Sequence, residues 1–401
     1  MPLFVYVLGL AVFAQGTSEF MLAGLVPGIA HDLSVSEGAA ASLTSAYAVG
    51  MIVGAPVMAA LGARWPRRRA LAGFLAAFVV VHLVGAVTTY YPLLFGTRIA
   101  AAISNAGFLA VAMSVATSLV APERRARATA VLLSGVTLAC VVGVPAGALL
   151  GDRAGWRSAF LAVAVLCLPA LALVFRSAPA GAARRPNVEL RREARALRSR
   201  AVRLALVLAA LVNGATFATF AYLAVIATEV TRLPDGAVPG LLAAFGVGAF
   251  LGVNAAGRGD GRLRRGLVLA LCALPAGWLM LGVASPHAVA LFLVSVVLGG
   301  LSFGVGSALV GRVMHVASDA PALNGAFATV ALNAGAFLGP LLAGAVTGAT
   351  GSAQGAPWVS AGLATAALAV LAAARLRGAP EPATRAPGEQ PRTSRDVSGA
   401  T

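Results

Sequence analysis

The sequence predicts an all-α polytopic membrane protein with twelve transmembrane helices in two six-helix halves. Three observations carry that expectation. The 401 residues are 59% hydrophobic and only 11% charged, where a soluble domain has about 25% charged residues. Apolar runs alternate with short polar breaks twelve times, and most runs approach the roughly 20 residues that a bilayer crossing needs. The longest internal break, Arg176 to Arg203, falls after the sixth run.

In order, the runs place helices over 3–29, 39–62, 70–89, 92–119, 129–151 and 158–175, and then over 204–228, 237–257, 267–284, 288–311, 325–348 and 357–374. The first run has no basic segment ahead of it and exceeds a signal-peptide core, so it reads as a retained helix. Residues 1–175 form the N-terminal half, 176–203 a cytoplasmic linker, 204–377 the C-terminal half and 378–401 a disordered tail rich in Pro, Gly, Ser, Thr and charge. Part of the linker is suited to lie on anionic headgroups.

A net charge of +16 raises the question of nucleic acid. The placement of the charge argues for topology instead. With the N-terminus inside, the inner breaks and tail hold 26 arginines and the outer breaks 3, leaving Arg98 within a membrane run. That asymmetry puts both termini in the cytoplasm. Every one of the 30 basic residues is Arg. Without Lys there is no Walker A lysine, no Schiff base and no lysine general base, so an ion gradient is the expected energy source and no cofactor is implied. Cys140, Cys167 and Cys272 lie in apolar runs without C-x-x-C spacing and read as small buried hydrophobes; no metal set is present. A membrane enzyme or sensor would need a catalytic cluster or an appended domain, and the sequence shows neither.

The halves read as a diverged parallel repeat, a transporter signature. Gly143-Val-Pro145 matches Gly339-Pro340 at an offset of about 196, Gln15-Gly16 matches Asn213-Gly214 at 198, and Arg64-Trp-Pro-Arg67-Arg68-Arg69 matches the break Arg258 to Arg265. Small residues four apart recur at Gly50 and Gly54, at Gly143, Gly147 and Gly151, at Gly248 and Gly252, and at Gly335 and Gly339. Such spacing lets helix backbones approach closely. It serves generic packing or, more sharply, a sliding contact between the halves.

Two full charges lie deep in membrane runs, Glu19 and Arg98. Glu19 falls ~15 Å and Arg98 ~9 Å from the outer ends of their helices at the α-helical rise. A carboxylate at that depth costs roughly 2.5–3.5 kcal/mol on insertion scales, so the pair reads as a proton-coupling site rather than a static ion pair. Gln15, Thr17, Tyr47, Asn105, Asn213, Thr216 and Asn333 are candidates for the cavity wall, each alternatively a helix–helix hydrogen bond. Phe20, Phe108, Phe217, Phe220, Tyr222 and Phe303 are candidates to stack on an aromatic ligand. His82 reads as a satisfied buried histidine.

Taken together, these stretches resemble the major facilitator superfamily, and within it the 12-helix drug/proton antiporters. Gly16-Thr17-Ser18-Glu19-Phe20-Met21-Leu22-Ala23-Gly24-Leu25 resembles a first-helix signature. Arg98 with Asn105-Ala-Gly107-Phe108 resembles the fourth-helix motif, and Gly143-Val-Pro145-Ala-Gly147 followed by Gly155-Trp156-Arg157 the fifth-helix antiporter motif. The combination is most similar to actinobacterial chloramphenicol exporters. The resemblance implies the major facilitator fold, with helices one, four, seven and ten around a cavity holding Glu19 and Arg98, and helices two, five, eight and eleven between the halves. It implies a monomer in the bacterial inner membrane whose partners are a small-molecule drug, protons and the lipid bilayer, not nucleic acid. The implied function is proton-coupled efflux of a small amphipathic antibiotic, chloramphenicol first, by alternating access; the alternative is export of a sugar, nucleobase or other endogenous metabolite. One motif departs: the loop after helix two reads Ala63-Arg64-Trp65-Pro66-Arg67-Arg68-Arg69, without the family's Asp and Gly. Packing would then replace a charged latch there.

Overall fold

The computed structural model describes residues 2–61, 65–121, 124–177, 194–257, 263–318, 320 and 323–376. Arg64, Arg258, Arg262, most of the linker (178–193) and the tail after 376 lie outside the described residues. Twelve long helices follow one another: α1 (Leu3–Phe20), α2 (Glu37–Leu61), α3 (Arg67–Val87), α4 (Tyr91–Ser118), α5 (Arg125–Leu138, resuming over Val144–Ala154) and α6 (Trp156–Ser177). The second set is α7 (Arg200–Phe220), α8 (Val238–Gly257), α9 (Leu263–Ala284), α10 (Ala288–Val316), α11 (Asn324–Thr350) and α12 (Gly355–Leu376). Eleven are long and apolar enough to cross a membrane; in α9 the apolar stretch is shorter, Val268–Ala284.

Three helices are interrupted at mid-depth, which their apolar runs do not announce. α1 stops at Phe20, passes through a 3₁₀ turn over Met21–Gly24 and resumes as a short helix over Val26–Asp32. α7 stops at Phe220, 200 residues later, and continues through Leu223–Val225 into a π-turn over Ile226–Val230. α5 carries a π-turn over Ala139–Gly143. There Pro145 has no N–H to give the Val141 carbonyl and its ring crowds that oxygen, so the ladder widens. Interrupted helices are tolerated at this depth where protein or a cavity satisfies the freed groups.

The glycine faces do not form the contact between the halves. They bind helices within one half. A Cβ on Gly50 would strike the Ile99 carbonyl of α4, and one on Gly54 would crowd Ile103. Gly143 lies against Thr17 and Gly147 against Met21, joining α5 to α1. Gly248 and Gly252 meet the Val296 and Gly300 carbonyls of α10, and Gly335 and Gly339 the Ala210 and Gly214 carbonyls of α7. The reason is geometric: small residues give most where whole helices cross at backbone contact. A sliding contact has to keep larger side chains between its surfaces.

The halves meet through other faces of α2 with α11 and of α5 with α8. Ser45 Oγ donates to the Phe337 carbonyl at 2.8 Å. Gly24 sits against Ala148 of α5 and Leu242 of α8, and the Tyr222 hydroxyl lies beside Gly38 and Gly344. These contacts fall toward the arginine-poor end of the bundle. At the arginine-rich end, the loop after α2 is held by Trp65 stacked on Phe74, centroids 5.6 Å apart, and by Arg67 Nη1 donating to Ser118 Oγ at 2.8 Å. Arg68 and Arg69 are exposed.

These contacts predict a contrast between two glycines. Gly248→Ala forces α8 away from a backbone carbonyl that cannot yield, an overpacking cost of about 1–3 kcal/mol. Gly73→Ala has open space around it. Thermal unfolding in detergent should show a clear loss of Tm for the first and none for the second.

Candidate functional site

The site is assembled around the interruption of α1. The last regular backbone bond of that helix runs from the Met21 N–H to the Thr17 carbonyl. The next carbonyl, of Ser18, accepts from Arg98 Nη2 of α4 at 2.7 Å. Arg98 Nη1 donates to Ser18 Oγ at 2.8 Å. One guanidinium therefore grips both oxygens of one residue. A cation on the last carbonyls of a helix also meets the negative end of its dipole.

Ser18 is held from the far side by α3. Ser18 Oγ lies 2.6 Å from His82 Nε2, and His82 Nδ1 lies 2.7 Å from the Phe78 carbonyl. A carbonyl only accepts, so Nδ1 carries the hydrogen, and in the neutral tautomer that follows from this Nε2 accepts from Ser18. The chain of donation runs Arg98 to Ser18 to His82 to Phe78, with His82 a neutral imidazole. Around it, the Arg98 guanidinium lies 4.7 Å from the Tyr47 ring centroid and 5.7 Å from that of Phe160. Asn105 Nδ2 donates to the Tyr47 hydroxyl at 2.8 Å.

Arg98 is 1% exposed and is thus a buried strut, not part of a cavity wall. Glu19 is half-buried, and no ion pair joins it to Arg98 among the described residues. The two still lie in each other's field. Arg98 Nε has no acceptor among the described residues.

Most of the polar cavity candidates serve packing. Thr17 donates to the Phe13 carbonyl at 2.9 Å, Thr216 to Val212 at 2.9 Å and Asn333 to Thr329 at 3.0 Å, each one turn back in its own helix. Asn213 ties α7 to the Leu332 carbonyl of α11 at 2.7 Å. Gln15 is fully buried, and its amide has no partner among the described residues. Phe108 is enclosed within its own half. Tyr222 lies apart, beside Gly38 and Gly344, whereas Phe20, Phe217, Phe220 and Phe303 come together. Phe20 stacks on Phe217 across the halves at 6.0 Å, Phe217 meets Phe220 at 6.0 Å, Phe220 meets Phe245 at 5.0 Å and Phe245 meets Phe303 at 6.1 Å. Phe245 escaped the sequence reading; its position one turn before Gly248 is the available signal. On the outer surface of the bundle an apolar groove runs between α1 and α5 toward the arginine-rich end, lined by Tyr6, Leu10, Phe13, Ser134, Leu138 and Val142, most of them exposed.

Comparison with known proteins decides the family. Residues 8–332 match the family model of the Major Facilitator Superfamily. The chain belongs to that superfamily. It is 50% identical over 374 residues to the chloramphenicol resistance protein of Streptomyces lividans, covering 92% of this chain and 95% of that one. It is 32% identical over 351 residues to a chloramphenicol efflux pump of Mycobacterium tuberculosis (strain CDC 1551 / Oshkosh), covering 84% of each. The superfamily fold is seen again in the crystal structure of a bacterial homolog of the human lysosomal transporter Spinster, in an inward-facing and occupied conformation. The TM-score is 0.73 at 17% identity, over 94% of this chain and 98% of that one.

At the arginine-poor end a second cluster clamps the short helix that continues α1; the sequence reading singled out its Gly155-Trp156-Arg157 stretch but not Asp32, which that stretch holds. Arg157 Nη1 pairs with Asp32 Oδ2, Trp156 Nε1 donates to the same oxygen at 2.9 Å, and Arg157 Nη2 reaches the Thr88 carbonyl at 3.1 Å. Gly155, at φ 78°, makes the corner that presents Trp156 and Arg157. The hydrogen bonds from Arg157 and Trp156 hold the Asp32 carboxyl below its ordinary 3.8. A depressed folded-state pKa contributes stability above the ordinary carboxylate range and loses it as pH falls through the depressed value. Asp32→Asn should therefore lower Tm modestly at pH 7, and the gap from wild type should close in strong acid. A gap independent of pH would show that the ion pair is not the source.

Proposed function

We propose that this chain exports chloramphenicol or a closely related neutral aromatic antibiotic, driven by protons that enter through Glu19. The observation that carries the reading is the 50% identity to the Streptomyces lividans chloramphenicol resistance protein over nearly the whole of both chains. The geometry supports it. The aromatic run from Phe20 to Phe303 is buried where the halves meet, and in this reading its ring faces are uncovered to an aromatic ligand as the halves part. The arginine-rich end is the one the charge asymmetry assigns to the cytoplasm, and the apolar groove between α1 and α5 near it faces outward from the bundle. Both termini then lie inside, in the inner membrane.

In this reading the bundle binds drug from the cytoplasmic side while contacts such as Ser45 to Phe337 hold the outer end shut. Drug binding favours departure of the proton from Glu19; the halves rock; drug leaves outward and a proton returns. The close glycine packing within each half makes each a stiff body, so the motion is concentrated between them. Exchange of one proton for a neutral drug moves one charge, and the membrane potential then contributes ~2.3 kcal/mol per 100 mV.

The test is a resistance panel in a sensitive host, repeated with an uncoupler. Chloramphenicol resistance should rise with expression and vanish with the uncoupler. Glu19→Gln should abolish accumulation against a gradient while leaving drug-for-drug exchange intact. Uphill transport by that variant rules out Glu19 as the proton site. Phe217→Ala, which opens the aromatic run where the halves meet, should raise KM more than it lowers kcat.

A further inference from the structure

We propose that Ser18 and His82 are positioning residues of the proton-coupling step: together they hold Arg98 as the cap on the interrupted first helix, out of an ion pair with Glu19, until Glu19 ionises and draws the guanidinium off. The proposal rests on the reading of Glu19 as the proton site and adds the element that converts its charge into movement.

The geometry carries it. A carbonyl left over where a membrane helix stops needs a donor, because lipid supplies none. The Ser18 carbonyl has Arg98. Arg98 needs acceptors just as much, and two of its donors are committed to Ser18. Ser18 Oγ receives Arg98 on one lone pair, and with the imidazole neutral its own hydrogen lies on His82 Nε2, while Nδ1 is committed to the Phe78 carbonyl; His82 thereby holds the hydroxyl, and its lone pairs, in one direction. Each bond fixes the direction of the next. Removing either Ser18 or His82 loosens the grip on Arg98 without touching Glu19.

Ser18 holds the guanidinium by Nη1 and Nη2, and Glu19 lies within its field, so a charged Glu19 pulls the same group from a second direction. Nε remains without an acceptor among the described residues and is available to a carboxylate. While Glu19 holds its proton, Ser18 wins and the helix stays broken at Met21–Gly24. Once Glu19 is charged, a charge-assisted bond to Arg98 outcompetes neutral acceptors. The freed Ser18 carbonyl then takes the Leu22 N–H, its partner in an uninterrupted α-helix, and α1 winds on toward the segment clamped by Asp32. The titratable and charged groups meeting in this pocket are Glu19 of α1, Tyr47 of α2, His82 of α3, Arg98 of α4 and Cys167 of α6. Among them His82 is neutral by its bonding, and Glu19 is the carboxylate.

The experiment uses full-length protein in proteoliposomes and reads two quantities: proton-driven chloramphenicol transport across a range of pH, and chloramphenicol exchange at equal pH on both sides. Ser18→Ala and His82→Phe should each move the pH midpoint of driven transport toward acid by about one unit, a tenfold change in proton concentration. Exchange should stay within about twofold of wild type, and Ser18→Thr, which keeps the hydroxyl, should restore the wild-type midpoint. A profile for Ser18→Ala that superimposes on wild type overturns the proposal. So does a parallel fall of both transport modes that Ser18→Thr fails to rescue, which marks a merely structural role. Uphill transport by Glu19→Gln overturns the reading of Glu19 and this proposal with it, whereas a wild-type profile for Ser18→Ala overturns the proposal alone. Should Ser18→Ala fail to fold, amide exchange in wild type and Glu19→Gln decides. Backbone protection over Met21–Leu25 should rise with pH in wild type and stay flat in Glu19→Gln; a flat response in both overturns it.

Discussion

A guanidinium enclosed among membrane helices must have its donors met by protein, and the Arg98–Ser18 contact is where this molecule meets that demand. The rest of the site follows from it. The contact occupies the carbonyl at which α1 loses its regular ladder, joins α4 to α1, and recruits His82 of α3 as the acceptor behind Ser18. It also sets the stage for Glu19, which lies next to the gripped residue yet outside an ion pair. A buried charge left without partners costs several kcal/mol. Here hydrogen bonds and two aromatic faces stand in for a carboxylate, which leaves Glu19 uncommitted.

The same concern for backbone contact shapes the two halves. Where a Cβ would enter a neighbouring carbonyl, as at Gly248, Gly252, Gly335 and Gly339, paired helices behave as one unit. Between the halves the contacts are of another kind: a single hydroxyl on a carbonyl at Ser45, a tyrosine ring between two glycines, one stacked pair of phenylalanines. The α2–α11 face is as broad as the α2–α4 face within the N-terminal half, but it holds side chains between its helices where the glycine faces put backbone on backbone. Stiffness within and looseness between are what rigid-body rocking requires.

Much of the fold was legible because a bilayer imposes length and apolarity on every crossing. The twelve helices fall where the hydrophobic runs place them, with ends displaced by a few residues. Glu19 and Arg98 stood out because charge in an apolar run is conspicuous. The interruption of α1 was not legible, since the apolar run continues through the break to Ile29 and the arginine that meets the Ser18 carbonyl there is 80 residues away. The glycine spacing announced close approach without saying which helix approaches. Ser18 and His82 were passed over or set aside for a related reason: a serine or histidine in a helix costs little alone, and its meaning comes from the group it faces. For the polar residues named as cavity-wall candidates the structure shows what each bonds to, Thr17, Thr216 and Asn333 turning back to carbonyls of their own helices.

The loop after α2 shows how a missing motif is answered by packing. Without an acid in that loop, its arginines have no carboxylate to latch onto there. Trp65 instead lies flat on Phe74, and Phe74 presses on Gly107 of α4, in the stretch that begins at Asn105. Asn105 in turn holds the Tyr47 hydroxyl, whose ring underlies Arg98. A contiguous line of side chains thus leads from the arginine-rich mouth of the bundle to the guanidinium that caps α1. It is built from stacking and hydrogen bonds and crosses α2, α3 and α4 within one stiff half. Movement at the mouth is therefore felt at Arg98 through packing, and the exposed Arg68 and Arg69 are left free to face anionic headgroups rather than to act as a latch.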